Sequence, residues 1–152
     1  EYKKFIQISS ISAEKQLHTP YGSHKRSAEI IVEKDKNALI FRLGALYGFG
    51  LSKSALFDLI NKNHMYVDIK SEYNYINIDY VANYILSNID LRGIKNIGAS
   101  DSISLFEISQ GIWENPSYEG HLEKIVFDKV DENMPSSREV LRYVRSLKAG
   151  VG

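Results

Sequence analysis

Tyr21 and Lys25 stand four residues apart in the stretch "TPYGSHKRSAE", residues 19–29. On a helix, residues at that spacing share a face, with Cβ atoms about 5–6 Å apart. An ammonium beside a phenol favours the phenolate, and a helix start adds partial positive charge. A tyrosine in that setting can trade a proton with a substrate hydroxyl or carbonyl. The chemistry also needs a group to hold the reacting oxygen. Ser9 and Ser10 end the preceding apolar run, and in open α/β sheets ligands bind at that end of the strands. For two serines alone a strand-end turn is the simpler reading; the adjoining Tyr-x3-Lys helix favours the hydrogen-bonding one. Tyr66 and Lys70, in "MYVDIK", repeat the spacing. They lie in a strand-like stretch, where residues four apart are about 13 Å distant, so that match carries no chemistry.

The elements that must position these residues follow from apolar patterning and punctuation. "KKFIQIS" (Lys3–Ser9) reads as a buried strand and "SISAEKQLH" as a loop. Thr19 suits an N-cap and Pro20 the first helical position, opening a helix to about Lys34. "NALIFRL" is a second buried strand and "GALYGFG" a glycine-rich turn. Ser52 caps a helix through about Asn63, and "MYVDI" and "YNYINI" follow as strands. Asp79 caps "YVANYILSNI", "GIKNIG" is a strand, and Ser102 caps "ISLFEISQGI". Trp113–Gly120 reads as a long surface loop and "LEKIVFD" as a strand. Ser136-Ser137-Arg138-Glu139 has the form of a capping box before "VLRYVRSLK". Strands alternating with helices predict α/β layering on a mainly parallel sheet.

Composition narrows the function. The 152 residues carry 43% hydrophobic and 25% charged side chains with zero net charge, values of an ordinary globular domain. No basic run points to nucleic acid, and no apolar run approaches the ~18 residues of a membrane span. The absence of cysteine excludes disulfides and thiolate metal sites and fits a cytoplasmic protein. His18, His24, His64 and His121 are scattered without ligand-like neighbours, so no metal is expected.

The residues also carry a family resemblance. Strand, Ser-Ser, loop and Tyr-x3-Lys together resemble the catalytic segment of the short-chain dehydrogenase/reductases. Later motifs favour the extended branch of nucleotide-sugar epimerases, dehydratases and reductases. "FIQISS" is similar to that branch's strand ending in Ser-Ser, and "PYGSHKRSAE" to P-Y-G-x-S-K-x-x-x-E, with His24 in place of Ser. "FRLGALYGFG" resembles R-L-x-N-x-Y-G-P-G, "YNYINIDYVANYI" resembles R-D-F-x-H-V-D-D-V-A, and "NIGASDSISLFEI" resembles N-I-G-x-G-x-x-x-S-x-x-E. The resemblance implies a partial Rossmann-like parallel sheet with helices (residues 1–50) and a mainly substrate-binding α/β portion with an interleaved sheet strand (residues 51–152). It implies Tyr21 as acid/base, Lys25 as its electrostatic partner and ribose ligand, and Ser10 as donor to the reacting oxygen. Ser9, Tyr21, Lys25 and Leu46 would meet NAD or NADP; Ala45, Tyr47 and Tyr73 would meet a nucleotide sugar. Family members commonly dimerise through the tyrosine helix, so a homodimer is expected.

Three departures qualify that expectation. The family's G-x-x-G-x-x-G turn, which receives the cofactor pyrophosphate at a helix N-terminus, does not precede Phe5. The chain opens on Glu1 rather than Met, so we expect a removed upstream segment and weak cofactor binding by this chain alone. Gly44-x3-Gly48-x-Gly50, with Asp68 downstream, offers a substitute phosphate turn in a permuted chain; the flanking motifs favour a segment beside the substrate instead. Ala45 replaces the Asn often used to hold the ligand, and Tyr73 stands where an Arg commonly meets the diphosphate. Losing that charge-assisted contact weakens an anionic substrate by on the order of 1.5–3 kcal/mol. A non-catalytic remnant serving as a binding or assembly module is the alternative.

Overall fold

In the computed structural model, residues 4–112 and 115–149 are described. The first βαβ unit comprises β1 (Ile6–Ser10), α1 (Ser12–Lys15), α2 (Pro20–Val32) and β2 (Leu39–Leu43). Then come β3 (Ala45–Tyr47), α3 (Ala55–Asn61), β4 (Glu72–Tyr73), β5 (Tyr75–Asn77), α4 (Ile78–Ser87) and β6 (Gly93–Ile97). The chain continues through β7 (Ile103–Ser104), α5 (Leu105–Ser109), β8 (Lys124–Ile125) and α6 (Glu139–Ala149). The main sheet has the order β1-β2-β6 and is parallel throughout. β3 pairs with β5 in parallel, and β4 lies between an antiparallel β7 and a parallel β8. The predicted α/β layering on a mainly parallel sheet is observed.

Alternation along β2 explains the two layers around it, because successive side chains point to opposite faces. Leu39 and Phe41 are fully buried with Ile76, Val81, Ile97 and Met134, on the face that α4 covers. Arg42 lies on the other face and meets Glu29 of α2. Register places Ile6 beside Leu39 and Ile8 beside Phe41, yet Ile6 and Ile8 stay exposed. The β1 end of that face is therefore uncovered in this chain. A second cluster joins Leu56 and Leu59 of α3, Met65, Tyr73, Ile103, Ile108, and Val140 and Val144 of α6.

Asn74 couples the two clusters. It is buried, donates to the carbonyls of Ala99 (3.2 Å) and Asp101 (2.6 Å), and accepts from the Phe127 N–H (2.6 Å). Its side chain interrupts "YNYINI", which is why one predicted strand is two short ones, β4 and β5.

Several boundaries differ from expectation. "MYVDI" is not a strand: Met65 makes a single bridge to Tyr118, and Asp68 turns the chain by accepting from the N–H groups of Lys70 and Ser71. The "loop" after β1 contains the one-turn α1. "LEKIVFD" is a strand only at Lys124–Ile125. The caps are Ser54, Asn77 and Ser104 rather than Ser52, Asp79 and Ser102. The capping box forms at Ser104 and Glu107. At Ser136 it does not: that hydroxyl donates to Asp101 and accepts from the Arg138 N–H instead of the Glu139 N–H, and the Glu139 carboxylate pairs with Arg142. Trp113 and Glu114 of the predicted loop, and the last three residues, lie outside the described residues.

Candidate active site

The first turn of α2 is built as its sequence dictates. Pro20 occupies the first position, and Thr19 Oγ1 accepts from the Gly22 N–H (3.0 Å) while donating to the Gln16 carbonyl (2.8 Å). Gly22 permits a close approach: a Cβ there would lie 2.1 Å from Gln16 O and 2.5 Å from Ser12 O. α2 is thereby seated against α1 immediately after Tyr21.

Tyr21 and Lys25 come together as their spacing predicts. Lys25 Nζ sits 5.7 Å from the Tyr21 ring centroid, a cation–π distance. The same ammonium reaches the Ile8 carbonyl on the free edge of β1, at 3.5 Å. Tyr21 is 55% exposed. At the strand tip the two serines diverge. Ser10 Oγ accepts from the Ser12 N–H (3.2 Å), the strand-end turn in which its own proton stays available. Ser9 is buried and donates to Glu29 Oε1 (2.6 Å), so its hydroxyl is directed into the protein and away from a ligand at the tip.

The other expected contacts lie apart from this cluster. Ala45, Leu46 and Tyr47 form β3, paired with Tyr75, Ile76 and Asn77. That strand occupies the stretch read as a possible phosphate turn, and no helix begins until Ala55. Asp68 ends no strand, so the permuted phosphate site has neither of its required supports. Tyr47 is buried with its ring 5.4 Å from that of Tyr143, and burial followed by the Glu139 carboxylate pushes its hydroxyl up. Leu46 and Tyr47 help line a pocket of about 310 Å³ with Phe49, Ser54 and Ile78. Tyr73 is buried, its hydroxyl donating to Glu123 Oε2 (2.7 Å). Burial, then that carboxylate, pushes its ionisation far above the usual tyrosine range. Tyr73 thus reaches no open site with its hydroxyl. Among the described residues no group of three metal-ligating side chains occurs, and no helix is long and apolar enough to cross a membrane.

Sequence reasoning missed Glu29 as a structural centre. Fully buried on α2, it takes both Arg42 Nε (2.9 Å) and Nη2 (2.7 Å), together with Arg26 Nη1 (3.0 Å) and Ser9 Oγ. Arg42 continues to Glu14 (2.8 Å), and Glu14 to Lys15. Burial raises the Glu29 carboxyl, but the hydrogen bonds from Arg42, Ser9 and Arg26 outweigh it and hold the group below the ordinary carboxylate value. Two signals were present: a Glu one turn after Lys25, and a lone Arg within the apolar run "LIFRL".

No protein-family model matches the sequence, and no curated protein matches it. Solved structures do. UDP-glucuronic acid 4-epimerase from Bacillus cereus, in complex with UDP-glucuronic acid and NAD, superposes over 97% of this chain and 63% of its own, at 20% identity and TM-score 0.69. The fold is that of the nucleotide-sugar epimerases and dehydratases. MoeE5 in complex with UDP-glucose and NAD matches over 99% of this chain and 66% of its own, at 16% identity and TM-score 0.75. dTDP-glucose 4,6-dehydratase from Bacillus anthracis, in complex with NAD, matches over 96% and 63%, at 13% identity and TM-score 0.66. The chain therefore spans less than two thirds of the length of these epimerase and dehydratase structures, almost all of it within their fold.

Proposed function

We propose that this chain supplies the proton-transfer and substrate side of an NAD(P)-dependent extended short-chain dehydrogenase/reductase acting on a nucleotide sugar, as epimerase, dehydratase or reductase. The observation that carries the reading is the Lys25 ammonium over the Tyr21 ring beside the free edge of β1 at Ile8, in a fold shared with enzymes solved with NAD and UDP-sugars. In this reading Tyr21 Oη exchanges a proton with the sugar hydroxyl while Lys25 stabilises the phenolate, and Ser10 Oγ–H donates to the same sugar oxygen. The nicotinamide, when bound, supplies the hydride acceptor.

The residues present fit one end of that cofactor. Tyr21 is exposed and Lys25 half-buried, and Lys25 donates to a single carbonyl at the outer limit of hydrogen bonding. That leaves the ammonium free to turn to a ribose. Ser9 and Leu46 fit less well: Ser9 faces Glu29, and Leu46 packs against the core of the main sheet. Gly44, Gly48 and Gly50 flank β3 and no helix begins until Ala55, so this reading assigns none of the described residues to the cofactor pyrophosphate. The chain alone then binds cofactor weakly and turns nothing over. Of the substrate residues, Tyr47 would offer its ring as a wall of the pocket it lines with Phe49, Ser54 and Ile78, while Ala45 is held in β3 against Tyr75. Tyr73, held by Glu123, contributes no charge to a diphosphate. A cytoplasmic setting belongs to the same proposal.

The test joins residues 1–152 behind a dinucleotide-binding segment of this fold and follows conversion of UDP-glucose in the presence of NAD. Tyr21→Phe lowers turnover by about 10²–10⁴-fold; a change within a few-fold removes Tyr21 as the acid/base. One observation favours a second reading, a non-catalytic module that self-associates: Phe5, Ile6 and Ile8 are exposed along an edge strand. Sedimentation velocity decides it, since a monomer at high concentration contradicts that reading and the expected homodimer alike.

A further inference from the structure

Among the described residues Glu29 is the one charged side chain that is fully buried, and the proton transfer proposed above gives it no task. Burial of an ion pair is a weak source of stability, because desolvation offsets most of the attraction. Four directional hydrogen bonds do supply a fixed position. Oε1 accepts from Ser9 Oγ (2.6 Å) and Arg42 Nε (2.9 Å); Oε2 accepts from Arg42 Nη2 (2.7 Å) and Arg26 Nη1 (3.0 Å). These fill the acceptor capacity of a carboxylate and leave α2 little freedom to rotate about its axis.

The partners are not random ones. Ser9 precedes Ser10 in β1, and Arg42 is the register neighbour of Ser9 in β2. On α2, Lys25 lies one turn before Glu29 and Tyr21 one turn before Lys25, so the three form a single stripe. The geometry points to Glu29 as the positioning residue of the Tyr21–Lys25 pair: its bonds to Ser9 and Arg42 fix the rotation of α2 that turns this pair toward β1, where Lys25 Nζ reaches the Ile8 carbonyl. Gly22 sets how closely the helix approaches α1; Glu29 sets which face it turns to the sheet. This inference rests on the proton-transfer reading, which names the pair to be positioned.

The experiment uses the 152-residue chain and the NOE between the Lys25 ε-methylene protons and the Ile8 α-proton, expected because Lys25 Nζ lies 3.5 Å from the Ile8 carbonyl. Glu29→Gln, in a sample whose spectrum shows a folded chain, loses at least half of that NOE, while the Tyr21–Lys25 contact within α2 is kept. Ser9→Ala, which leaves the Glu29–Arg42 pair in place, loses a smaller part and decides the matter if Glu29→Gln does not fold. An NOE that survives both substitutions, while the urea midpoint falls, makes Glu29 a stabilising clamp only and overturns the inference alone. Absence of the NOE in the unsubstituted chain shows that the pair does not face β1, and that overturns the proton-transfer reading together with this one.

Discussion

Gly22→Ala tests the seating of α2 against α1 by the sign of a stability change. In a freely exposed helix, replacing Gly by Ala stabilises by about 1 kcal/mol, because alanine loses less backbone entropy on folding. Here the added methyl would lie 2.1 Å from Gln16 O, 2.5 Å from Ser12 O and 2.7 Å from Gln16 C. All three are backbone atoms, so no side-chain rotation relieves the contact and α2 must move off α1. Overpacking of this kind costs typically 1–3 kcal/mol, and three simultaneous contacts place it at the upper end. The net expectation is a loss of about 1–2 kcal/mol after the propensity gain. For a chain of this size that lowers Tm by roughly 2–8 °C. Urea unfolding with an unchanged m-value measures it. A variant more stable than the parent by about 1 kcal/mol would refute the close approach, and with it the mechanism that fixes where Tyr21 emerges.

Two further substitutions probe the scaffold. Glu29→Gln removes the buried counter-charge of Arg42 and Arg26, which keep Glu14 and Glu33, and costs about 1.5–3 kcal/mol near neutral pH. Because the folded carboxyl is held below its ordinary value, its stabilisation is complete above the unfolded value and is lost as pH falls through the folded one. Urea midpoints of parent and variant therefore converge as pH drops from about 5 to 3; a constant gap contradicts the depressed carboxyl. Glu107, also held low by the Ser104 N–H and Arg138, is common to both proteins and cancels. Asn74→Ala strands the Phe127 N–H and the Ala99 carbonyl, while the Asp101 carbonyl keeps the Ser137 hydroxyl. At about 1–3 kcal/mol per buried unsatisfied group, urea unfolding should show a loss of at least about 2 kcal/mol.

The parts legible in the sequence are those written in local chemistry. Thr19, Pro20 and the amphipathic run behind them announce α2, and the apolar stretches "FIQIS" and "LIFRL" announce β1 and β2. The Tyr21–Lys25 pair follows from helix periodicity alone. What stayed hidden depends on partners distant in the chain. A glutamate on a helix reads as solvated until Arg42, thirteen residues on, is found beside it. Ser136 and Ser104 both begin a Ser-x-x-Glu pattern, and the first forms no capping box because Arg138 N–H takes its hydroxyl oxygen and Arg142 takes Glu139. β4, β7 and β8 have two residues each, too few for any period to register. Tyr73 read as a ligand contact because of its place in a motif; Glu123, fifty residues away, gives its hydroxyl a different partner.

In the proposed function, β1 and the first turns of α2 form the nicotinamide-side half of a cofactor site. Titrating ¹⁵N-labelled chain with NADH and following amide shifts tests it most directly. Binding is then weak, in the millimolar range, with perturbations confined to Ile8–Ser10, Tyr21 and Lys25. Micromolar affinity, or perturbations centred on Gly44–Ser54 with the strand tip silent, would contradict it.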